Sequence, residues 1–227
     1  MIASVHICAP GAASALRAFR GAPDPKAIDG LAYAETLVTA PVGASLLPKL
    51  SLSEVGLLAS WQDDEHLDRF LGDRALAGPF AEGWHVRMRP VRVVGAWKAI
   101  PGLPATPIDV EPDEPVAVLT LGRLRKLRLI PFLRAGARAE AALSGHPGLL
   151  AATGFAHPPH IVSTFSLWRS SAEMLKYAQE TSGAHLAAIR RNRERPFHHE
   201  SAFIRMRPYR SAGTWGTTDP LLGVLAG

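Results

Sequence analysis

The chain carries one cysteine, Cys8, so it can form no internal disulfide, and a cytoplasmic setting is the expectation. It has no apolar run of about 18 residues, the length a membrane-spanning helix needs. Its N-terminus lacks the basic segment and apolar stretch of a secretory leader. No glycine-rich phosphate loop follows a strand-like segment, so neither NADPH nor a flavin has a recognisable seat. Aromatic residues make up 7% of the chain, which leaves the core mainly to aliphatic side chains. Low-complexity tails and basic strands studded with aromatics are missing too. The formal charge of +5 therefore points to no nucleic acid, because the excess is arginine set among apolar residues in 124–138 and 190–195.

The 227 residues, 47% hydrophobic and 20% charged, suit one large globular domain or two small ones. An internal repeat decides for two. Residues 86–97 read Val-Arg-Met-Arg-Pro-Val-Arg-Val-Val-Gly-Ala-Trp, and 204–215 read Ile-Arg-Met-Arg-Pro-Tyr-Arg-Ser-Ala-Gly-Thr-Trp. Seven of the twelve positions are identical at a fixed offset of 118. Upstream, Val55–Trp61 parallels Val162–Trp168 at an offset of 107, and a polar helix start follows each tryptophan. Ser170 and Glu173 fit a capping box there. The offsets differ by 11 residues, about three helical turns, which places extra helix in the second copy around 182–196. A feature present once per chain is expected to use that segment.

Each copy reads as strand, helix, strand, strand, helix, strand, the order of a ferredoxin-like unit. In the second copy the strands are expected over 116–121, 149–155, 161–168 and 202–215. Helices are expected over 124–143, with Pro131 as a kink, and over 170–179 and 184–193. His157-Pro158-Pro159-His160 reads as a turn, and Pro208 as an edge or a bulge. The expected fold is α+β: duplicated ferredoxin-like units, 1–100 and 116–227, closing one α+β barrel of the dimeric type within one chain. The proline-rich stretch 101–115 is the linker. An exposed sheet edge on a basic chain suggests a homo-oligomer.

Several stretches resemble spheroidene monooxygenase and its relatives. They are Gly56–Trp61, Glu114–Thr120, Thr164–Trp168 with Ala172-Glu173-Met174, Gly183–Arg190 and Gly213–Gly216. The resemblance spans roughly residues 40 to 221 and is strongest from Glu114 onward. It implies a haem-dependent monooxygenase that oxidises an apolar small molecule with O2, with the haem iron in the barrel of the second unit and electrons from an external donor. The family's acidic, aromatic stretch before the last strand is replaced here by Pro196-Phe-His-His-Glu-Ser201, so the substrate is left open. A non-catalytic barrel that binds haem or another hydrophobe, and a cofactor-free oxygenase, are the rival readings.

Within that reading His185 is the expected axial ligand. It lies in the copy-specific segment and shares a helix face with Ala188 and Ile189, small or apolar neighbours against which a macrocycle could lie. Phe165 and Phe203 are expected to line an apolar pocket. Arg205 and Arg207 share a strand face and suit haem propionates or a bound oxygen species, but Arg87 and Arg89 match them, which equally fits structural ion pairs. His199 is the alternative ligand; His198 and His199 otherwise read as a solvated pair, and His157 and His160 as turn residues. Repetition marks Trp61, Trp168, Trp97 and Trp215 as packing residues.

Overall fold

The computed structural model describes residues 1–42, 50–125, 143–180 and 198–225. The first unit runs β1 (Ile2–Cys8), α1 (Ala12–Arg20), β2 (Leu31–Pro41), β3 (Val55–Trp61), α2 (Asp64–Gly72), the short α3 (Arg74–Ala77) and β4 (Trp84–Ala96). The second runs β5 (Val116–Leu124), β6 (Leu149–His157), β7 (Ile161–Trp168), α4 (Ser171–Glu180) and β8 (His198–Ala212). β8 begins earlier and ends sooner than the sequence suggests. It stops at Gly213, whose φ of 81° suits glycine. A Cβ there would lie 2.6 Å from the Gly83 carbonyl oxygen. The helices expected over 124–143 and 184–193 fall mostly or wholly outside the described residues.

Local chemistry starts both matched helices. Asp63 caps α2 by accepting from the His66 N–H at 3.1 Å, and the Ser170 hydroxyl accepts from the Glu173 N–H at 3.2 Å. Each sheet keeps the ferredoxin-like order, β4-β1-β3-β2 and β8-β5-β7-β6. Two antiparallel seams, β2 with β6 and β4 with β8, join them into a closed eight-stranded barrel. The duplicated α+β barrel expected from the repeat is the observed fold. Closure leaves no open edge in it, so the edge offered for self-association is not there.

Register makes the two units comparable position by position. Ile2 pairs with Trp61 as Val116 pairs with Trp168, and Ala3 pairs with Met88 as Ala117 pairs with Met206. Trp61 packs on Phe70 at 4.9 Å between ring centroids, and Trp168 packs on Tyr177 at 5.1 Å. The Trp61 indole N–H donates to Ser4 of the adjacent strand β1, and the Trp168 indole N–H to Ser166 of its own strand β7. Trp97 and Trp215 each follow the last strand of a unit and pack on the barrel's interior core.

The β4–β8 seam pairs the repeated motif with its own copy. Arg87 lies opposite Arg210, Arg89 opposite Arg207 and Arg92 opposite Arg205. The ladder is irregular between Arg87 and Met88 and between Pro90 and Arg92, which leaves Tyr209 and Val91 as extra residues beside Pro208 and Pro90. Pro208 thus sits at a bulge. The linker crosses this seam: the Ile108 N–H donates to the Val91 carbonyl, and Arg207 to that of Asp109.

Three apolar layers result. Alternate residues of every strand fill the barrel, and the outward faces meet the helices. Leu67, Phe70, Ala77 and Phe80 pack on Val55, Leu57 and Trp61 of the first sheet. Met174 and Leu143 pack on Val116, Val118 and Trp168 of the second.

Candidate functional site

The interior of the barrel is a packed core. Phe155, Phe165, Trp84 and Trp215 stack across it at 5.2–6.5 Å between ring centroids. The cavity lined by Tyr33, Leu58, Leu119 and Ile204 measures about 20 Å³, room for a water and not for a macrocycle. A haem inside the barrel, as the resemblance implied, does not fit this interior.

Strand alternation places the expected residues. On β8, Ala202, Ile204 and Met206 point into the barrel, so Phe203, Arg205 and Arg207 face the helix side. Phe165 lies in the interior, on the opposite face of the wall from Phe203. The structure therefore brings Phe203, Arg205 and Arg207 together and separates Phe165 from them. His185, Ala188 and Ile189 lie outside the described residues. His199 is exposed on β8, and His160 closes the turn between β6 and β7. His157 does more than turn the chain: its Nδ1 meets the Glu35 carboxylate and the Thr36 carbonyl across the β2–β6 seam, with Phe19 at 4.8 Å.

The helix-side faces of the two sheets differ. By register, Thr164 stands where the first sheet has Leu57, Thr120 where it has His6, Gly154 where it has Thr36, Ala156 where it has Val38, and Gly122 where it has Cys8. Beside Trp168 the second face is bulkier, with Val118 for Ser4 and Ser166 for Ala59. Phe203 replaces His85 at the β8 margin. Part of the relief at Gly122 is used by His198, since a Cβ there would lie 2.6 Å from the His198 Cδ2 and Nε2. The rest is a floor of small side chains with an aromatic edge, suited to a flat apolar molecule.

Charge separates the faces further. Arg87 is buried and bonded to Asp64 and Asp68 of α2, and Tyr209 also donates to Asp64, at 2.9 Å. Burial works against the Arg87 charge, but those carboxylates outweigh it and raise its pKa. Among the described residues Arg205, its counterpart, meets only the Met174 sulfur, at 4.0 Å; its Nε, like that of Arg87, has no partner. Burial and the neighbouring Arg92 lower its pKa. Arg207 pairs with Glu114 at 2.9 Å.

Of the four histidines to which the sequence assigned no role, His6, His66, His85 and His146, three sit in the helix-side layers. His6 and His85 stack at 5.3 Å in the first helix-side layer, with Phe70 and Phe80 against His6. His146 packs edge-on to Trp168 and Tyr177 in the second. Their significance comes from contacts distant in sequence, which no local spacing signals. Among the described residues no three metal-ligating side chains cluster.

The chain is similar to spheroidene monooxygenase. It is 29% identical over 144 residues to the enzyme of that name from Rhodobacter capsulatus, covering 62% of this chain and 59% of the relative. With the one from Cereibacter sphaeroides it is 22% identical over 185 residues, covering 79% and 56%. The chain thus spans under three fifths of these relatives' length. No protein-family model matches it. Among solved structures, an aldoxime dehydratase in complex with butyraldoxime shares the fold, with a TM-score of 0.52 and 9% identity over 91% of this chain and 79% of that one. No helix among the described residues is long and apolar enough to cross a membrane.

Proposed function

We propose that this chain is a haem-dependent monooxygenase that oxidises an apolar small molecule with O2 and draws electrons from an external donor. The first unit (1–100) and the linker (101–115) act as scaffold, and the second unit (116–227) holds the site. The observation that carries this reading is the contrast between the helix-side faces. The first is filled by large side chains and internally neutralised, whereas the second offers small side chains and a guanidinium with no carboxylate partner among the described residues. Similarity to spheroidene monooxygenase supports the reaction class.

The residues present fit a flat, carboxylate-bearing macrocycle. Thr164, Thr120, Gly154 and Ala156 give it a level floor, and Phe203 an apolar edge. His185 is the residue proposed to hold the iron, with His199 of β8 as the alternative. Haem, when bound, supplies the O2 and electron chemistry. The chain's own part is to orient that group, exclude water through the apolar neighbours Phe203, Val118 and Trp168, and place a positive charge beside it. The sequence carries no glycine-rich phosphate loop after a strand, and the electron source proposed is an external donor.

The test is the visible spectrum of the purified chain titrated with haem. A stoichiometric Soret band is expected, lost or shifted in His185→Ala and retained in His199→Ala. The reverse pattern moves the ligand to β8. A chain that gains no Soret band with added haem is instead a cofactor-free oxygenase or a non-catalytic barrel.

A further inference from the structure

The seam between β4 and β8 sets three pairs of arginines directly opposite one another. Facing like charges on adjacent strands are destabilising unless neutralised. The pseudo-two-fold relation of the repeat exchanges the pair Arg87–Arg210 with Arg205–Arg92 and maps Arg89–Arg207 onto itself. In the first unit α2 brings Asp64 and Asp68 to Arg87. Counting from the matched tryptophans, α4 carries Ser171 and Leu175 at those two positions. The neighbouring positions still correspond: Leu67 with Met174 in the two cores, and Phe70 with Tyr177 against the tryptophans. The second copy has kept the cation and lost both of its counter-charges. Among the described residues only the Met174 sulfur touches the Arg205 guanidinium.

We propose that Arg205, backed by Arg92, is an anion anchor that takes a carboxylate of a ligand lying in the second helix-side layer. The ligand supplies what Asp64 and Asp68 supply in the first unit. Where the ligand is the haem of the reading above, that carboxylate is a propionate. The anchor itself needs only the carboxylate, which a small organic acid also carries. A guanidinium fork matches a carboxylate with two parallel donors, and half-burial at Arg205 strengthens the pairing relative to an exposed site. Arg92, directly across the ladder, adds a second positive charge.

The test uses the full chain, its Arg205→Gln variant and Leu175→Asp, which restores a carboxylate at the position of Asp68. Each is titrated with haem and with haem dimethyl ester, which lacks the propionate charges, following the Soret band. The wild type should bind haem at least tenfold more tightly than the ester, and both variants should bind the two alike. In parallel, thermal unfolding is followed in succinate and in chloride at equal ionic strength. Succinate should raise the wild-type melting temperature and leave the variants unmoved, while Leu175→Asp should itself raise the melting temperature in chloride. If neither haem form binds but succinate stabilises only the wild type, the anchor stands and the haem reading falls. If Arg205→Gln keeps the preference for haem over its ester, or responds to succinate as the wild type does, the anchor is wrong.

Discussion

The two units share a register, a tryptophan, a capped helix and an arginine motif, yet their helix-side layers have diverged. The first is finished: Leu57, His6 and Phe70 fill it, and Arg87 is bonded to two carboxylates. The second keeps Trp168 and its ring partner at one end but has Thr164, Thr120, Gly154 and Ala156 at the other, beside Arg205, which has no counter-ion among the described residues. A duplicated fold can leave one copy to carry stability and free the other for a ligand. The difference between matched positions is then the record of that division.

The sharpest way to break this comparison is to exchange residues between matched positions. Leu57 is fully buried, so Leu57→Thr should destabilise the protein by about 2–4 kcal/mol, through lost packing and a hydroxyl placed among apolar groups. The reciprocal Thr164→Leu should cost less than about 1 kcal/mol, because that floor has room. Urea unfolding of both variants is the check. Equal costs would mean the two layers are equally packed.

A somewhat smaller effect concerns pH. His6 is held well below its ordinary pKa by burial first, then by His85 and Arg87. His85 is lowered to about 4 by burial, then by Arg87 and Arg210, against the pull of Asp68 and Asp219. The unfolded chain protonates both imidazoles near 6.5, whereas in the folded chain His85 resists until about pH 4 and His6 is likewise held below its ordinary range. Stability is therefore present above about pH 6.5 and declines as pH falls toward 4, by on the order of 1–3 kcal/mol. The second unit has Thr120 and Phe203 at these positions, and its own lowered imidazole is His198 of β8, held down by burial. The double variant His6→Thr, His85→Phe should flatten the profile between pH 6.5 and 4. An unchanged slope there would place the acid sensitivity elsewhere.

Much of the fold was legible because duplication writes itself into sequence twice. The match of 86–97 with 204–215 gave both units, their last strands and the packing role of the tryptophans. That Arg205 and Arg207 share one strand face was also readable from alternation, whereas its pointing outward, away from Ala202, Ile204 and Met206, came only with the barrel. What could not be read was that the barrel interior is full, since Trp84, Phe155, Phe165 and Trp215 come from four separate segments. Nor could the arginine ladder be foreseen, because it exists only once the motif pairs with its own copy across the seam. The His6–His85 stack, the His146 contacts with Trp168 and the Glu35–His157 pair are long-range for the same reason.

The most direct test of the divided roles is a haem titration of the double variant Thr120→His, Thr164→Leu, which gives the second floor the side chains of the first, beside the wild type. The account predicts a stoichiometric Soret band in the wild type and at least tenfold weaker binding in the variant, with its melting temperature maintained. Haem binding of wild-type strength in a folded double variant would contradict the claim that the second helix-side layer is the ligand site.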